Sequence, residues 1–278
     1  MKMKVAHFLL MLFCIAAISC NDDELQLTKM QGKPSSISSN IDNRKMFFFY
    51  KGNHLSEIKE LHYVRSKSIY NYSDENNDLM SISSMIEDKN IADGSGFIRF
   101  RKEDGKIIIE SSGEPGFDIF RLELELDNNN NPVKITDMGI FSYTGVNGEI
   151  SKIAEGDYYA VFTYNQATKN LTRLVVYDKI STEEVASYDY EYDNNVGAVS
   201  KMGLPLWYYA YKAFMLRDSN DIFHKIYFNH SNNIIFEKVT AASHNPEQNT
   251  YEYIYKYNKA NTPVSMSNVN SKNLLFTY

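Results

Sequence analysis

From Met46 onward, apolar and polar residues alternate with a period of two in one segment after another. In "FRLELELD" (120–127), Leu122, Leu124 and Leu126 alternate with Glu123 and Glu125. That is the pattern of a strand with one face on a core and the other in water. "FIRFRKEDGKIIIE" (97–110) reads as a hairpin. Ile98 and Phe100 alternate with Arg99 and Arg101, Asp104-Gly105 suits the positive φ angles of a tight turn, and Lys106–Ile109 returns. "TYEYIYKYN" (250–258) sets Tyr251, Tyr253, Tyr255 and Tyr257 on one side, with Glu252, Ile254 and Lys256 on the other.

The strand ends repeat as well. "LDNNNNPVKI" (126–135) and "YNKANTPVSM" (257–266) each open on a large apolar residue followed by Asp or Asn, and each carries Pro-Val at the same offset. Tyr164-Asn165, Tyr192-Asp193 and Phe228-Asn229 share the looser frame, with an apolar residue seven positions after the first. A strand that ends on an inward side chain, followed by an Asp or Asn that bonds nearby backbone and tolerates left-handed φ, is the start of a hairpin turn. Successive copies begin 38, 28, 36 and 29 residues apart, room for two strands and two connections each. At the usual strand length, roughly fourteen to sixteen strands fit between Met46 and Tyr278. The expectation is an all-β protein, an antiparallel β-meander of repeated hairpins forming a barrel, partial barrel or sandwich.

One segment breaks the alternation. Within "VGAVSKMGLPLWYYAYKAFMLRDSND" (196–221), Trp207, Tyr211 and Phe214 fall at helical spacing. This predicts a short helix or lid near 203–217, laid across an end of the sheet.

The N-terminus has a different character. Two lysines precede a 14-residue apolar run, Val5–Ile18, interrupted by His7. The run is too short to span a bilayer, which takes about 20 apolar residues, and suits a secretory signal. It ends in Ala-Ala-Ile-Ser-Cys, which resembles the lipobox of bacterial lipoproteins, where cleavage precedes a cysteine that receives a diacylglycerol. Ala17 stands where Leu is usual. Of the two cysteines, Cys14 would leave with the signal and Cys20 would carry the lipid, so the folded domain has neither a thiol nor a disulfide. The domain organisation expected is a lipoprotein signal peptide over 1–19, a flexible tether over 20–45 and a single β-rich domain over 46–278. Asp22, Asp23 and Glu24 resemble the acidic export signal that sends some Bacteroidetes lipoproteins to the outer face of the outer membrane. The localisation this implies is an outer membrane, by lipid anchor, on the periplasmic or cell-surface side.

Net charge is −6, and loss of residues 1–19 removes Lys2 and Lys4 and no acid, leaving −8. An acidic chain gives no electrostatic reason to bind nucleic acid. Its tyrosines, 21 against one tryptophan, are the compositional signature to explain.

Tyr190-x-Tyr192-Asp193 with its turn, Pro205 with an aromatic insert, Asp218-Ser219-Asn220-Asp221-Ile222, and Tyr255-x-Tyr257-Asn258 with Pro263 together resemble a group of Bacteroidetes envelope lipoproteins. Their domain has no assigned function and a porin-like, antiparallel β fold; the turn units also resemble YD-type repeats. The resemblance covers about residues 120–278 and departs from the YD pattern where Gly is missing at turns. It implies an envelope lipoprotein and brings no active site.

Catalytic and metal chemistry is not marked in the chain. The histidines (His7, His54, His62, His224, His230 and His244) form no zinc-binding pair. No carboxylate pair stands out as a glycosidase site, and no phosphate-binding glycine pattern is present. "DNNNN" (127–131) and "DSND" (218–221) are oxygen-rich but lack calcium-loop spacing, and read as turns. No cofactor or metal is expected. The aromatic insert offers the ligand-binding candidates Trp207, Tyr208, Tyr209 and Tyr211, whose flat faces suit sugar rings or partner side chains. The competing account is that they close the core. The leading reading is a lipid-anchored, non-catalytic β domain that binds a glycan or envelope-protein partner. The alternatives are an accessory subunit of an outer-membrane complex, a glycan hydrolase, or a membrane-inserted barrel, which the terminal "NLLFTY" invites and the charged strand faces oppose.

Overall fold

Alternation this regular needs partners on both sides of every strand, and the computed structural model supplies them by closing the sheet on itself. It describes residues 32–40, 42–63, 65–87, 95–112, 119–144, 149–219, 221–241, 248–268 and 273–278. Among these lie β1 (Ser36–Ser39), β2 (Lys45–Lys51), β3 (His54–Leu61), β4 (Arg65–Tyr72), β5 (Leu79–Ile86), β6 (Ser95–Glu103), β7 (Lys106–Ser112), β8 (Ile119–Leu126) and β9 (Pro132–Thr144). They continue with β10 (Glu149–Ala154), β11 (Tyr158–Tyr164), β12 (Leu171–Asp178), β13 (Glu184–Val196), β14 (Asn232–Ala241), β15 (Gln248–Tyr257), β16 (Pro263–Asn268) and β17 (Asn273–Thr277). Helices α1 (Leu206–Leu216) and α2 (Ile222–Lys225), with a 3-10 turn over Ile226–Phe228, interrupt the series between β13 and β14.

Consecutive strands pair antiparallel, except that β10 and β11 both pair with β9, and β1 sits between β2 and β17, with Ser36 opposite both Phe47 and Thr277. The ring therefore closes on itself, and among the described residues β10 is the strand paired on one side only, which limits the edge open to edge-to-edge aggregation. β10 and β11 lie end to end along β9, one pairing near Phe141 and the other near Ile135. Counted around the circumference, the barrel has sixteen strand positions. The fold is all-β and antiparallel, as the alternation predicted, and the choice among barrel, partial barrel and sandwich falls on the closed barrel.

The domain starts earlier than the sequence pattern suggested. Ser36–Ser39 falls in the range expected to be tether, yet it is the strand that closes the ring. Its four residues, Ser-Ile-Ser-Ser, carry little signal, but Ile37 is fully buried. Cys20, Asp22, Asp23 and Glu24 lie outside the described residues.

The repeated strand-end frame has two uses. Asp127, Asn165 and Asn258 open hairpin turns, each carboxylate or amide oxygen accepting from the backbone N–H two residues on. The turns end on a left-handed residue at Asn130, Lys169 and Asn261. Asp193 and Asn229 instead mark where the chain leaves β13 for the helical insert and returns toward β14. Phe228 thus ends a 3-10 turn, not a strand.

The insert runs into the barrel and not across its end. Tyr208, Tyr209, Ala210, Tyr211, Ala213 and Phe214 of α1 are all buried, which leaves almost no face of the helix for solvent. A helix apolar nearly all round belongs in an interior. A ring of sixteen strands is wider than wall side chains alone fill, and the insert supplies the missing core. Wall residues such as Phe48, Phe100, Leu122, Leu124, Ile135, Leu174 and Tyr188 form one cluster with it.

Candidate functional site

The tyrosines are the link between wall and insert. Tyr253, Tyr255 and Tyr257 point inward from β15, as their alternation predicted. Their hydroxyls donate to Glu237 at 2.9 Å, to Asn229 at 3.2 Å and to Asp193. Glu237, fully buried on β14, also accepts from Lys225 Nζ of α2 at 2.7 Å, and both side chains are almost wholly out of solvent. Asp218 accepts from Tyr188, and Asp221 pairs with Arg44 and caps α2 through Phe223 N, so the acids of "DSND" are structural anchors of the insert.

Two hollows where the insert meets the wall are large enough to hold a small molecule. The first, of about 290 Å³, lies at the end of the barrel where the insert enters. Trp207 lines it beside Arg101, Lys102, Asp78 and Asn130. The indole is half-buried and packs on Phe100 at a centroid distance of 4.9 Å. Gly203, with φ of 73°, lets the start of the insert approach this end so closely that a Cβ there would sit 2.3 Å from the Asn53 carbonyl oxygen.

The second hollow is an inner chamber of about 180 Å³ between α1 and the wall of β2–β6. Its wall is built from cross-strand rows. Met46, Glu60 and Ser66 form one, Ile58, Ser68 and Ser84 the next, and Tyr70, Ile82 and Ile98 the third. The cause of the space is visible in these rows. Ser66, Ser68 and Ser84 are small at inward positions where other strands carry Ile, Leu or Tyr. Across the chamber, α1 presents Tyr208, Lys212 and Leu216, four residues apart on one face, and the return presents Phe223, His224 and Tyr227.

Charge is unevenly satisfied there. Arg44 Nε bonds Glu60 at 2.6 Å, its Nη1 pairs with Asp221, and its guanidinium lies 4.4 Å from the Phe223 ring centre. Burial works against the Arg44 charge, but the two acids outweigh it and hold its pKa above the ordinary value. Lys212 has no such partner. Its Nζ lies 5.7, 5.9 and 5.2 Å from the ring centres of Tyr208, Tyr211 and Tyr227, and no hydrogen bond or ion pair to it is found among the described residues. Lys212 is largely but not wholly shielded from solvent, and this burial lowers its pKa to about 8. Burial likewise lowers His224, with Asp221 opposing and Arg44 and Lys212 reinforcing the shift. Tyr211 and Tyr227 are pushed up to about 12, chiefly by burial.

Of the four aromatic candidates, Trp207 lines the solvent-facing groove. Tyr208, Tyr209 and Tyr211 are buried, at 0%, 5% and 5% exposure, and serve the core. Tyr208 shares a hydroxyl contact of 3.2 Å with Tyr70, and Tyr209 donates to the Val199 carbonyl at 3.1 Å. Tyr208 also lines the chamber. The chamber itself escaped sequence reasoning. Its one local signal is a lysine inside the otherwise apolar helix "LWYYAYKAFML".

His224 Nδ1 lies 2.6 Å from Ser219 Oγ, and the nearby Asp221 carboxylate is committed to Phe223 N and Arg44, so among the described residues the pair has no orienting acid of the kind a triad uses.

No protein-family model and no curated protein matches the chain. Among solved structures, a porin-like protein from Bacteroides uniformis ATCC 8492 aligns over 88% of this chain and 97% of its own, at 10% identity and a TM-score of 0.39. A porin-like protein from Bacteroides vulgatus ATCC 8482 aligns over 88% and 98%, at 8% identity and a TM-score of 0.40. Overlap at this level transfers no function.

Proposed function

We propose that the protein is a lipid-anchored envelope protein whose barrel stands in water and binds a ligand or partner, without catalysis, at the groove lined by Trp207. The observation that carries this reading is the direction of the two strand faces. Buried apolar side chains point inward onto the insert, while Lys59, Lys67, Arg99, Arg101, Glu123, Glu125, Lys134, Arg173 and Asp189 occupy outward positions around the wall, among scattered apolar residues such as Val161, Ile254 and Leu275. Several pair across strands, as Arg173 does with Asp189 and Lys134 with Glu125. A lysine or arginine facing lipid at mid-depth costs about 2–4 kcal/mol, so a wall with this many charges favours water. The lumen is occupied by the insert, which argues against an open pore. The lipobox-like stretch ending at Cys20 supports attachment through lipid, with the acids Asp22, Asp23 and Glu24 as the export signal.

The groove suits a flat, hydroxylated ligand. Trp207 offers one ring face, and Lys102, Asp78 and Asn130 offer polar groups beside it, while the Arg101 guanidinium is turned to Glu103 and Glu110. Residues 21–278 should be soluble without detergent, and a need for detergent would return the barrel to the membrane. On a glycan array, Trp207→Ala should weaken any signal at least tenfold; an unchanged signal would move the site elsewhere. Cys20→Ser should release the protein from the membrane fraction.

A further inference from the structure

The chamber on the far side of α1 has no part in the groove, and its composition is not that of a packing defect. A void left by imperfect packing is apolar and dry. This one gathers a cation, an arginine–carboxylate pair, hydroxyls and apolar side chains around about 180 Å³. Lys212 is the unusual member. An ammonium drawn largely out of water without an anion is costly, and lysines so placed are normally paired. Three phenol rings at 5.2–5.9 Å contribute cation–π attraction but no counter-charge. Arg44 is already engaged by Glu60 and Asp221. Among the described residues, the chamber thus has a single uncommitted positive charge.

We propose that the chamber binds a small organic monocarboxylate, with Lys212 as its counter-ion and the apolar side chains Ile58, Ile82 and Phe223 receiving its body. Size, charge and lining all favour this class. A cavity of about 150 Å³ takes benzene, so a chamber of this volume takes a ring or short chain with one acid group. One free cation balances one negative charge. A dianion such as phosphate would meet Glu60 on the same wall without a second free cation, and would leave the apolar lining unused. The Ser68 and Ser84 hydroxyls lie 2.9 Å apart across strands; one proton holds the pair together and the other can donate to a carboxylate oxygen or a polar substituent.

The pH response follows from the groups that face Lys212. Arg44 from the start of β2 stays charged, Glu60 of β3 is tied to it, and His224 of α2 is held below its ordinary pKa. Burial raises Tyr70 of β4 and Tyr208 of α1 well above the ordinary phenol value, and Tyr211 of α1 and Tyr227 of the 3-10 turn to about 12. Lys212, near 8, is therefore the group that titrates between pH 7.5 and 9.5. Loss of its proton removes the counter-ion, so affinity falls as pH rises through that window.

The test is benzoate titration of the full-chain protein by calorimetry, with benzamide and benzylamine as neutral and cationic isosteres. Benzoate should bind at least tenfold more tightly than either. From pH 7 to pH 9.5 its apparent affinity should fall by on the order of 30-fold, as expected for one required proton with a pKa near 8. Lys212→Met should lose at least tenfold while keeping a cooperative melt, and Lys212→Arg should retain part of the binding. Equal affinity for benzoate and benzamide, no fall with pH, or no benzoate binding at millimolar concentration would each overturn the proposal. These readouts use the wild-type protein and hold even if a substitution at Lys212 prevents folding.

Discussion

At the scale of single residues, the interior is decided by a few charged groups that local pattern does not identify. Lys225 and Glu237 are 2% and 0% exposed and bond at 2.7 Å. Breaking such a pair strands the surviving charge, whereas replacing both partners by apolar groups is often neutral. Lys225→Met should therefore destabilise the fold by about 3–5 kcal/mol in urea unfolding, and Lys225→Met with Glu237→Leu should recover most of the loss. Equal costs for the single and double variants would show that the pair is not coupled. Glu237 lies between Phe236 and Lys238 in a strand whose alternation is interrupted by a register shift, so its inward direction was not legible. Leu122, Leu124 and the β15 tyrosines were legible, because unbroken alternation fixes a face. What the tyrosines reach was not, since Asp193, Asn229 and Glu237 are 16 to 64 residues away.

At the scale of elements, sequence and structure diverge where long-range geometry takes over from local chemistry. The hairpin turns at Asp127, Asn165 and Asn258 are local: one side chain bonding backbone two residues on is enough to write the turn into the sequence. The helix was also legible from the spacing of Trp207, Tyr211 and Phe214. Its position inside the barrel depends on the ring width, which no local window contains. β1 was missed for a similar reason, being four residues long and held by both chain ends. The chamber depends on three small inward serines from β4 and β5, meaningful only once those strands are paired. The insert's seat can be tested at Gly203, where Leu55 N also bonds the Met202 carbonyl at 2.9 Å. Gly203→Ala combines a left-handed φ with a backbone clash, and should cost more than about 1 kcal/mol, read as a lowered urea midpoint. The same change at Gly52, where φ is 60° but no atom lies within 4 Å, should cost less. Equal effects would mean that strain in the turn, and not the docking of the insert, sets the requirement.

At the scale of the whole molecule, charges are concentrated on the outside of the barrel and those inside are mostly paired, as Lys225 is with Glu237; Lys212 is the inward cation for which no anion is found among the described residues. Its burial has a thermodynamic consequence that is independent of any ligand. Burial lowers the Lys212 pKa from 10.5 to about 8, so between those values the unfolded chain binds more protons than the folded one. Stability must then rise with pH across that window, and below about pH 8 the folded protein carries the full cost of the enclosed charge. Lys212→Met removes that cost. Allowing for the partial exposure of the side chain, the variant should be more stable than wild type by on the order of 1–3 kcal/mol at pH 7. The difference should shrink from pH 8 and be largely gone by about pH 10.5. Thermal melts of both proteins across this range provide the measurement. A variant no more stable than wild type at pH 7 would mean that the phenol rings and chamber water already compensate the charge. A site that keeps a destabilising cation when a methionine would pack better is the arrangement expected where binding and not folding selects the residue.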